Sequence, residues 1–296
     1  MSLNLQITYL HTKMIICTNK NALFQAIDKC KAQGKTIGFV PTMGALHAGH
    51  ISLINRSTAE CDTTVASIFV NPVQFNNPND LQTYPRTLET DLALLETNNC
   101  DIVFVPQVED MYPEGMQNLE HYNFGTLETV MEGAFRPGHF NGVAIVVKRL
   151  FDLVQADKAF FGDKDFQQVA IVKQLVQQCT IPIQIIPCPI VRESDGLAMS
   201  SRNVRLTADE RIQAAQISQT LFAAQKMAKT HSVQEVKNFV IQTINAVPAL
   251  EVEYFDIVDD TYLQSVQSWD DAERIVGCVA VNVGAVRLID NVVFLS

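Results

Sequence analysis

Two histidines three residues apart, His47 and His50, lie in the segment Pro41–His50, which reads PTMGALHAGH. This segment falls between a predicted strand and a predicted helix, and its glycines allow a ligand to approach the backbone closely. A helix N-terminus offers unpaired N–H groups and a partial positive charge, both of which favour phosphate. The spacing therefore indicates a phosphate site. The alternatives are an ordinary loop with exposed histidines or a zinc pair, although zinc requires more ligands than this spacing supplies.

A second polar segment, Ser194–Asn203, reads SDGLAMSSRN and contains two hydroxyls followed by a fixed cation. Such groups hold phosphate oxygens during group transfer. The hypothesis is that Ser200, Ser201 and Arg202 neutralise phosphate charge. Taken alone, the same segment is better explained as a polar hinge between domains.

A third segment, Phe161–Gln168, reads FGDKDFQQ and occupies another predicted junction between a strand and a helix. Gly162 is expected to end the strand, and Asp165 has the side chain of a helix cap. Lys164 would then lie beside the same phosphate region. The alternative is a solvated helix start.

The elements that must position these segments alternate between strands and helices as far as residue 190. This alternation implies parallel β-α-β units and hence a doubly wound, Rossmann-like α/β sheet. Such sheets bind ligands at the carboxyl ends of their strands. One helix is expected from a Thr18 cap with Leu23 and Phe24 in the core. The other predicted helices are 51–58, 88–97, 141–154 and 165–177, and the predicted strands are 36–40 (stopping at Pro41), 63–70, 101–105, 158–161 and 181–186.

Beyond residue 190 the pattern changes to helices followed by strands, which is typical of a smaller α+β domain. Helices are predicted at 207–229 and 233–246, and strands at 252–258, 274–282 and 286–289. The predicted organisation is an N-terminal extension (1–13), a Rossmann-like domain that binds nucleotide and substrate (14–190), and a C-terminal lid domain (191–296).

Composition excludes several classes of protein. The 296 residues are 47% hydrophobic and 18% charged, which is typical of a globular chain, and the net charge is −10. An acidic chain is a poor candidate for binding nucleic acid or an anionic membrane, and no apolar run reaches the roughly 18 residues that span a bilayer. Seven cysteines without C-x-x-C spacing, and a start that does not resemble a signal peptide, favour the cytoplasm.

In this order, the three segments resemble the pantoate–β-alanine ligase family. The H-x-G-H pattern alone would indicate only the wider superfamily of nucleotidyltransferases and class I aminoacyl-tRNA synthetases. The resemblance extends from about Met14 to the C-terminus. Further matching stretches are Ser67–Phe75, Tyr84–Thr87, Glu132–Phe140 and Arg287–Asn291.

The resemblance implies a two-step reaction. The carboxylate of pantoate attacks the α-phosphorus of ATP to give pantoyl adenylate and pyrophosphate, and the amine of β-alanine then displaces AMP. The resemblance places His47, His50, Lys164, Ser200, Ser201 and Arg202 in catalysis, with His50 as the main donor to the transferring group. The expected ATP site comprises Met43, Gly44, Ala45, Leu46, His47, Ala48, Gly49, His50, Gly162, Asp163, Lys164, Asp165, Val191, Met199, Ser200, Ser201 and Arg202.

The same resemblance implies the remaining ligands. Gln74 and Gln168 would bind pantoate, with Asn71 a further candidate for that pocket, and Gln74 would also contact β-alanine. Mg²⁺ would arrive with ATP, with Asp91 as its protein ligand. A homodimer is expected, and no role is assigned to Arg136 or His139.

Two other classes of protein remain as alternatives. The first is another H-x-G-H nucleotidyltransferase that acts on a small acid; the acidic balance and the lack of an anticodon-sized region count against a tRNA synthetase. The second is a non-catalytic nucleotide-binding module, which does not explain two glutamines beside a complete phosphate-binding set.

Overall fold

The computed structural model describes residues 14–295, so the predicted extension 1–13 lies outside the described residues. Six parallel strands form a sheet in the order β1-β4-β3-β2-β5-β6, which confirms the predicted doubly wound α/β fold. The strands are β1 (Ile15–Cys17), β2 (Ile37–Thr42), β3 (Thr63–Ile68), β4 (Ile102–Phe104), β5 (Lys158–Gly162) and β6 (Gln184–Cys188).

The sheet opens beside its central strand β2, where β2 and its neighbour β5 stop pairing. All six residues of β3 are buried, as expected for a strand covered by helices on both faces. The prediction that β2 stops at Pro41 is wrong, because β2 continues to Thr42. Proline lacks an N–H, but β5 pairs with β2 only at Gly38 and Phe39, so no bond to β5 is lost at Pro41. Beyond Phe39 the two strands separate.

Helices cover both faces of this sheet, and most predicted ranges shift by a few residues at their ends. The helix α1 (Lys20–Ala32) is capped by Asn19 rather than Thr18. Leu23 is buried as predicted, but Phe24 is 38% exposed, because only one stripe of α1 faces the sheet. The remaining helices of this part are α2 (Ala48–Glu60), α3 (Pro78–Thr83), α4 (Leu88–Thr97), α5 (Val108–Met111), α6 (Met131–Phe135), α7 (His139–Val154) and α8 (Phe166–Gln178).

The C-terminal part has its own antiparallel sheet, which confirms the predicted α+β character. Its strands pair in the order β7-β8-β9, and a separate apolar cluster lies between them and two helices. Val258, Val276 and Cys278 instead join the core of the first sheet, so the two parts are packed together. The elements are α9 (Ala208–Met227), α10 (Val233–Asn245), β7 (Leu250–Asp259), β8 (Ile275–Val283) and β9 (Val286–Leu295). Within residues 14–295, no helix has the length and apolarity to cross a bilayer.

Candidate active site

A cavity of about 200 Å³ opens where β2 and β5 diverge. The chain leaves β2 toward β3 on one side, whereas β6 lies beyond β5 on the other, so this is the topological switch point of the sheet. Open α/β sheets bind ligands at this place, outside the carboxyl ends of the strands. The three segments singled out in the sequence meet here, at residues 43–50, 161–168 and 199–202.

The loop after β2 has an unusual backbone. Gly44 and Ala45 both have positive φ, at 81° and 49°, and Ala45 is one of the few non-glycine residues in that region. The N–H groups of Ala45 and Leu46 donate to the two carboxylate oxygens of Asp91, at 2.9 and 2.8 Å. This turn directs the chain into α2, whose N-terminus faces the cavity.

The two histidines form the cap of α2. Nδ1 of His47 accepts the N–H of Gly49 at 3.1 Å, and Nδ1 of His50 accepts the N–H of His47 at 3.3 Å. An imidazole whose Nδ1 accepts a hydrogen bond carries its proton on Nε2 when neutral. Both rings line the cavity, with their centroids 4.1 Å apart. The arrangement therefore presents two neutral Nε2–H donors rather than two cations.

Electrostatics keeps these rings neutral. Burial, followed by the charge of Lys164, lowers the pKa of His47 to about 4. Burial, His47 and Lys164 lower the pKa of His50 to about 3. A third histidine, His139, lies outside the cavity, and its Nδ1 donates to the backbone oxygen of Gln74 at 2.8 Å. Burial and the neighbouring Arg136 lower the pKa of His139 to about 4.

These pKa values predict how stability depends on pH. As the pH falls below about 6.5, the unfolded chain gains protons at His47, His50 and His139 while the folded chain does not. The free energy of unfolding is therefore expected to fall between about pH 7 and pH 5, because the unfolded state binds more protons. Denaturant titrations across that range measure the effect. NMR of the ligand-free enzyme should show His50 neutral throughout; a ring that protonates near pH 6.5 contradicts the assignment.

The segment after β5 brings Lys164 to the cavity, where its ammonium lies 3.6 Å from the carboxylate of Asp165. Gly162 ends β5 as expected. Asp165 occupies the cap position of α8 but makes no side-chain capping bond, so that prediction is wrong. The turn before α8 is held from the C-terminal part of the chain. The side-chain amide of Asn291, on β9, donates to the backbone oxygens of Asp163 and Lys164, at 2.8 and 3.1 Å.

The second segment, Ser194–Asn203, contains Ala198, which forms a short bridge with Arg192, and leads into a 3₁₀ turn, Ser201–Arg205. The hydroxyl of Ser201 donates to the backbone oxygen of Ala45 at 3.0 Å, which joins this segment to the histidine loop. The guanidinium of Arg202 is paired with Asp80, with Nη2 2.7 Å from Oδ2. Ser200 also lines the cavity, and its hydroxyl oxygen accepts the N–H of Arg202 at 3.2 Å, which leaves its own O–H free to donate.

Asp80, on α3, is a residue that sequence reasoning missed. Its carboxylate also accepts from Arg205 at 2.9 Å. Burial opposes its ionisation, but Arg202 and Arg205 outweigh burial and hold its pKa below the ordinary value. No local pattern indicated this pairing, because Asp80 and Arg202 are 122 residues apart.

An amide cluster forms the floor of the cavity beside Met43. Gln74 is 8% exposed, and its Oε1 accepts from Nδ2 of Asn71 at 3.2 Å, while its Nε2 lies 3.0 Å from the sulfur of Met43. The hydroxyl of Tyr112 donates to Oδ1 of Asn71 at 2.6 Å and so fixes that amide, a contribution that the sequence did not indicate. Gln168 faces the cavity, and α7 supplies an apolar wall at Val143, Val146 and Val147.

Several predicted site residues do not line the cavity. Asp91 is 1% exposed, and its oxygens are occupied by Ala45, Leu46 and Thr87, so this geometry does not favour it as a metal ligand. Five predicted ATP-site residues also lie off the cavity wall and shape the backbone around the cavity instead. They are Gly44, Ala45, Leu46, Ala48 and Asp163.

The remaining predicted residues all lie on the cavity wall, which gives the site its amide, hydroxyl, imidazole and cationic groups. They are Met43, His47, Gly49, His50, Gln74, Gly162, Lys164, Asp165, Gln168, Val191, Met199, Ser200, Ser201 and Arg202, together with Asn71.

A Rossmann-like sheet with an H-x-G-H loop at its switch point defines a nucleotide-binding enzyme of the nucleotidyltransferase superfamily. The family model described as pantoate-beta-alanine ligase matches residues 15–293. The chain therefore belongs to the pantoate–β-alanine ligase family, whose members are ligases that form an amide bond.

Similar proteins agree with this membership. The pantothenate synthetase of Bacteroides fragilis (strain YCH46) is 55% identical over 262 residues, which is 88% of this chain and 92% of that protein. The crystal structure of pantothenate synthetase from Thermus thermophilus is 41% identical, with a TM-score of 0.89 over 96% of this chain and 100% of the other. The ligase of Francisella tularensis, solved with beta-gamma ATP and β-alanine, is 37% identical, with a TM-score of 0.80 over 95% and 98% of the two chains.

Proposed function

We propose that this chain condenses pantoate with β-alanine at the expense of ATP, through a pantoyl adenylate, and that the cavity at the switch point is its active site. The observation that carries the proposal is the convergence of His50, Lys164 and Gln74 on one cavity from three separate segments. Neutral donors and a cation suit phosphate, whereas the amide suits a hydroxy acid that carries its own charge. The family membership supports the same reaction.

In the first step, a carboxylate oxygen of pantoate attacks the α-phosphorus of ATP, and the bond to the bridging oxygen of pyrophosphate breaks. Nε2–H of His50 donates to the oxygens of the transferring phosphoryl group, where negative charge builds up. His47 and Lys164 support that charge, as does the hydroxyl of Ser200. Donors that are held in place before the reaction need no reorganisation while it proceeds.

Arg202 joins the phosphate contacts by exchanging its partner. Its guanidinium is bound to Asp80 in the present arrangement, so contact with a phosphate requires this ion pair to loosen or to be shared. Ser201 contributes by holding the loop at Ala45, which leaves its hydroxyl committed to the protein. Ser201 therefore acts on the loop rather than on phosphate, and Arg202 reaches phosphate only in competition with Asp80.

Pantoate lies between Gln74 and Gln168, with its methyl groups against the apolar wall of α7. The Tyr112–Asn71–Gln74 chain of hydrogen bonds supports this orientation, because it fixes the amide of Gln74 before substrate binds. In the second step the amine of β-alanine, bound near Gln74, attacks the acyl carbon and AMP leaves. The closed cavity must exclude water, since water would hydrolyse the mixed anhydride.

Mg²⁺ is proposed to enter as part of the ATP substrate. Among residues 14–295 no group of three His, Cys, Asp or Glu side chains could hold a metal ion, so the donor set does not fit a resident metal. The triphosphate itself supplies oxygen ligands, which Mg²⁺ prefers while it keeps several waters. No step of the mechanism is assigned to a protein-bound metal.

The oligomeric state, the cellular compartment and the domain boundary of the enzyme are proposed as well. We infer a homodimer in the cytoplasm, with no nucleic-acid or membrane partner, and a functional boundary near residue 190 between the nucleotide-binding and lid domains. The family resemblance and the exposed Ile15 and Ile16 on the edge strand β1 support the dimer, and seven free cysteines support a reducing compartment. Sedimentation of the purified chain measures the dimer directly.

Exchange of labelled pyrophosphate into ATP tests the proposed reaction. With pantoate and Mg·ATP alone, the enzyme is expected to return label into ATP, because β-alanine has no part in the attack on the α-phosphorus. Added β-alanine should discharge the adenylate to AMP and pantothenate. Exchange that strictly requires β-alanine would indicate a concerted route, and exchange supported better by another small acid would favour a different nucleotidyltransferase.

A further inference from the structure

The carboxylate of Asp91 is a buried charge that the proposed reaction does not use. Asp91 lies in the first turn of α4 and is 1% exposed. Its Oδ2 accepts the N–H of Ala45, and its Oδ1 accepts both the N–H of Leu46 and the hydroxyl of Thr87, at 2.9, 2.8 and 3.1 Å. Burying a carboxylate is costly unless such donors satisfy it. The bonds from Ala45 and Leu46 join α4 to the loop after β2, whereas the bond from Thr87 lies at the start of α4 itself.

These contacts stabilise an otherwise unfavourable backbone. Ala45 has a φ of 49°, which side chains rarely adopt, and Gly44 before it has a φ of 81°. A Cβ at Gly44 would lie 3.0 Å from Oδ2 of Asp91, which is tighter than an ordinary contact, so the carboxylate and the positive φ both favour glycine there. Two consecutive N–H groups after left-handed residues form a concave anion site. In this protein the carboxylate of Asp91 occupies that anion site.

The same turn fixes the direction of His50. One residue after Leu46, the N–H of His47 donates to Nδ1 of His50 and thereby selects its Nε2–H tautomer. On the opposite side, the hydroxyl of Ser201 holds the carbonyl of Ala45. Both backbone polar groups of Ala45 are therefore hydrogen-bonded, its N–H to Asp91 and its carbonyl to Ser201.

We propose that Asp91 is a positioning residue for the adenylation step, which sets the loop from which His50 donates to phosphate. Asp91 does not touch substrate and is not a metal ligand in this assignment; it acts through His50. The inference rests on the proposed role of His50 in the reaction of this family.

The test compares Asp91→Asn with the matched control Asp101→Asn. Asp101 also accepts a backbone N–H, that of Thr64 at 2.8 Å, but lies away from the cavity. An asparagine at position 91 presents one NH₂ group to a donor and cannot satisfy both Ala45 and Leu46. We expect Asp91→Asn to lower kcat/KM for ATP in pyrophosphate exchange by about 10- to 100-fold, with the KM for pantoate nearly unchanged. Asp101→Asn should lose thermal stability but keep its exchange rate.

Non-additivity separates positioning from mere stability. In a His50→Ala background, Asp91→Asn is expected to lower exchange by less than about threefold, because the donor that it positions is already missing. An equal loss in both backgrounds overturns the proposal, and so does a folded Asp91→Asn enzyme with wild-type exchange. A raised Mg²⁺ requirement in Asp91→Asn would also overturn it, in favour of a metal ligand.

A second variant covers the case in which Asp91→Asn fails to fold. Thr87→Val keeps the carboxylate and removes one of its three donors. A smaller loss of exchange that again vanishes in the His50→Ala background supports the proposal, and a folded Thr87→Val enzyme with no loss then contradicts it. If the wild-type chain itself shows no exchange, the proposed function fails rather than this inference.

Discussion

Replacement of His50 by alanine is expected to lower the rate of pyrophosphate exchange by about 10²–10³ while the protein stays folded. His50 lines the cavity at the cap of α2, and its Nδ1 accepts the N–H of His47, which leaves Nε2–H as its donor. The donor is therefore fixed before charge develops on the phosphoryl group. Loss of the capping contact costs roughly 1 kcal/mol, which a folded domain of this size tolerates.

His121→Ala is the matched control, because His121 is exposed and lies outside the cavity. Its exchange rate and melting temperature should equal those of the wild type. His50→Gln provides a second comparison, since a glutamine amide can donate but does not reproduce the position of an imidazole Nε2–H. Turnover of the pure His50→Ala enzyme near the wild-type rate would remove His50 from the mechanism.

Replacement of Lys164 by methionine is expected to lower exchange by about 10²–10³, because it removes a cation that lines the cavity and acts on both histidines. Lys164 lowers the pKa of both His47 and His50, so its charge acts on the same region of the cavity. The effect should fall mainly on the first half-reaction, in which phosphate charge is greatest. Discharge of preformed pantoyl adenylate by β-alanine should change much less.

Lys173→Met serves as the control for Lys164→Met, since Lys173 is exposed on the following helix α8. Single-turnover measurements of both half-reactions separate the two effects. Equal losses in adenylation and in aminolysis would assign Lys164 a general part in binding rather than a part in phosphoryl transfer. A control variant as impaired as Lys164→Met would point to damage to the helix.

The hydrogen-bonding neighbours of the candidate site residues alter several of the sequence-based roles. Ser201 and Arg202 are predicted to contact phosphate, and in the structure both line the cavity while Ser201 donates to Ala45 and Arg202 pairs with Asp80. Gln167 and Gln168 are adjacent in sequence, yet Gln167 turns away to the backbone oxygens of Leu127 and Val130 while Gln168 faces the cavity. Residue type alone does not distinguish these cases, because each depends on a partner from a distant segment.

Contacts between the two parts of the chain were likewise invisible to local patterns. Arg287 on β9 reaches Glu132 on α6, 155 residues away, and Tyr254 donates to the same carboxylate at 2.9 Å. Burial opposes the charge of Glu132, but Arg287 outweighs it and lowers the pKa of Glu132 to about 2. The matching stretches Glu132–Phe140 and Arg287–Asn291 of the family resemblance thus meet in space, which the sequence did not predict.

By itself the sequence determined the alternation of strands and helices, the parallel sheet and the three segments that meet at its carboxyl edge. These features follow from apolar periodicity and from glycine, proline and capping residues, which act over a few neighbouring positions. The tertiary structure alone decided that β2 passes through Pro41, that Phe24 is partly exposed, and that Asp91 holds a loop from inside the protein. Burial and hydrogen-bond partners depend on which distant segments pack together, and no local pattern in the chain specifies that packing.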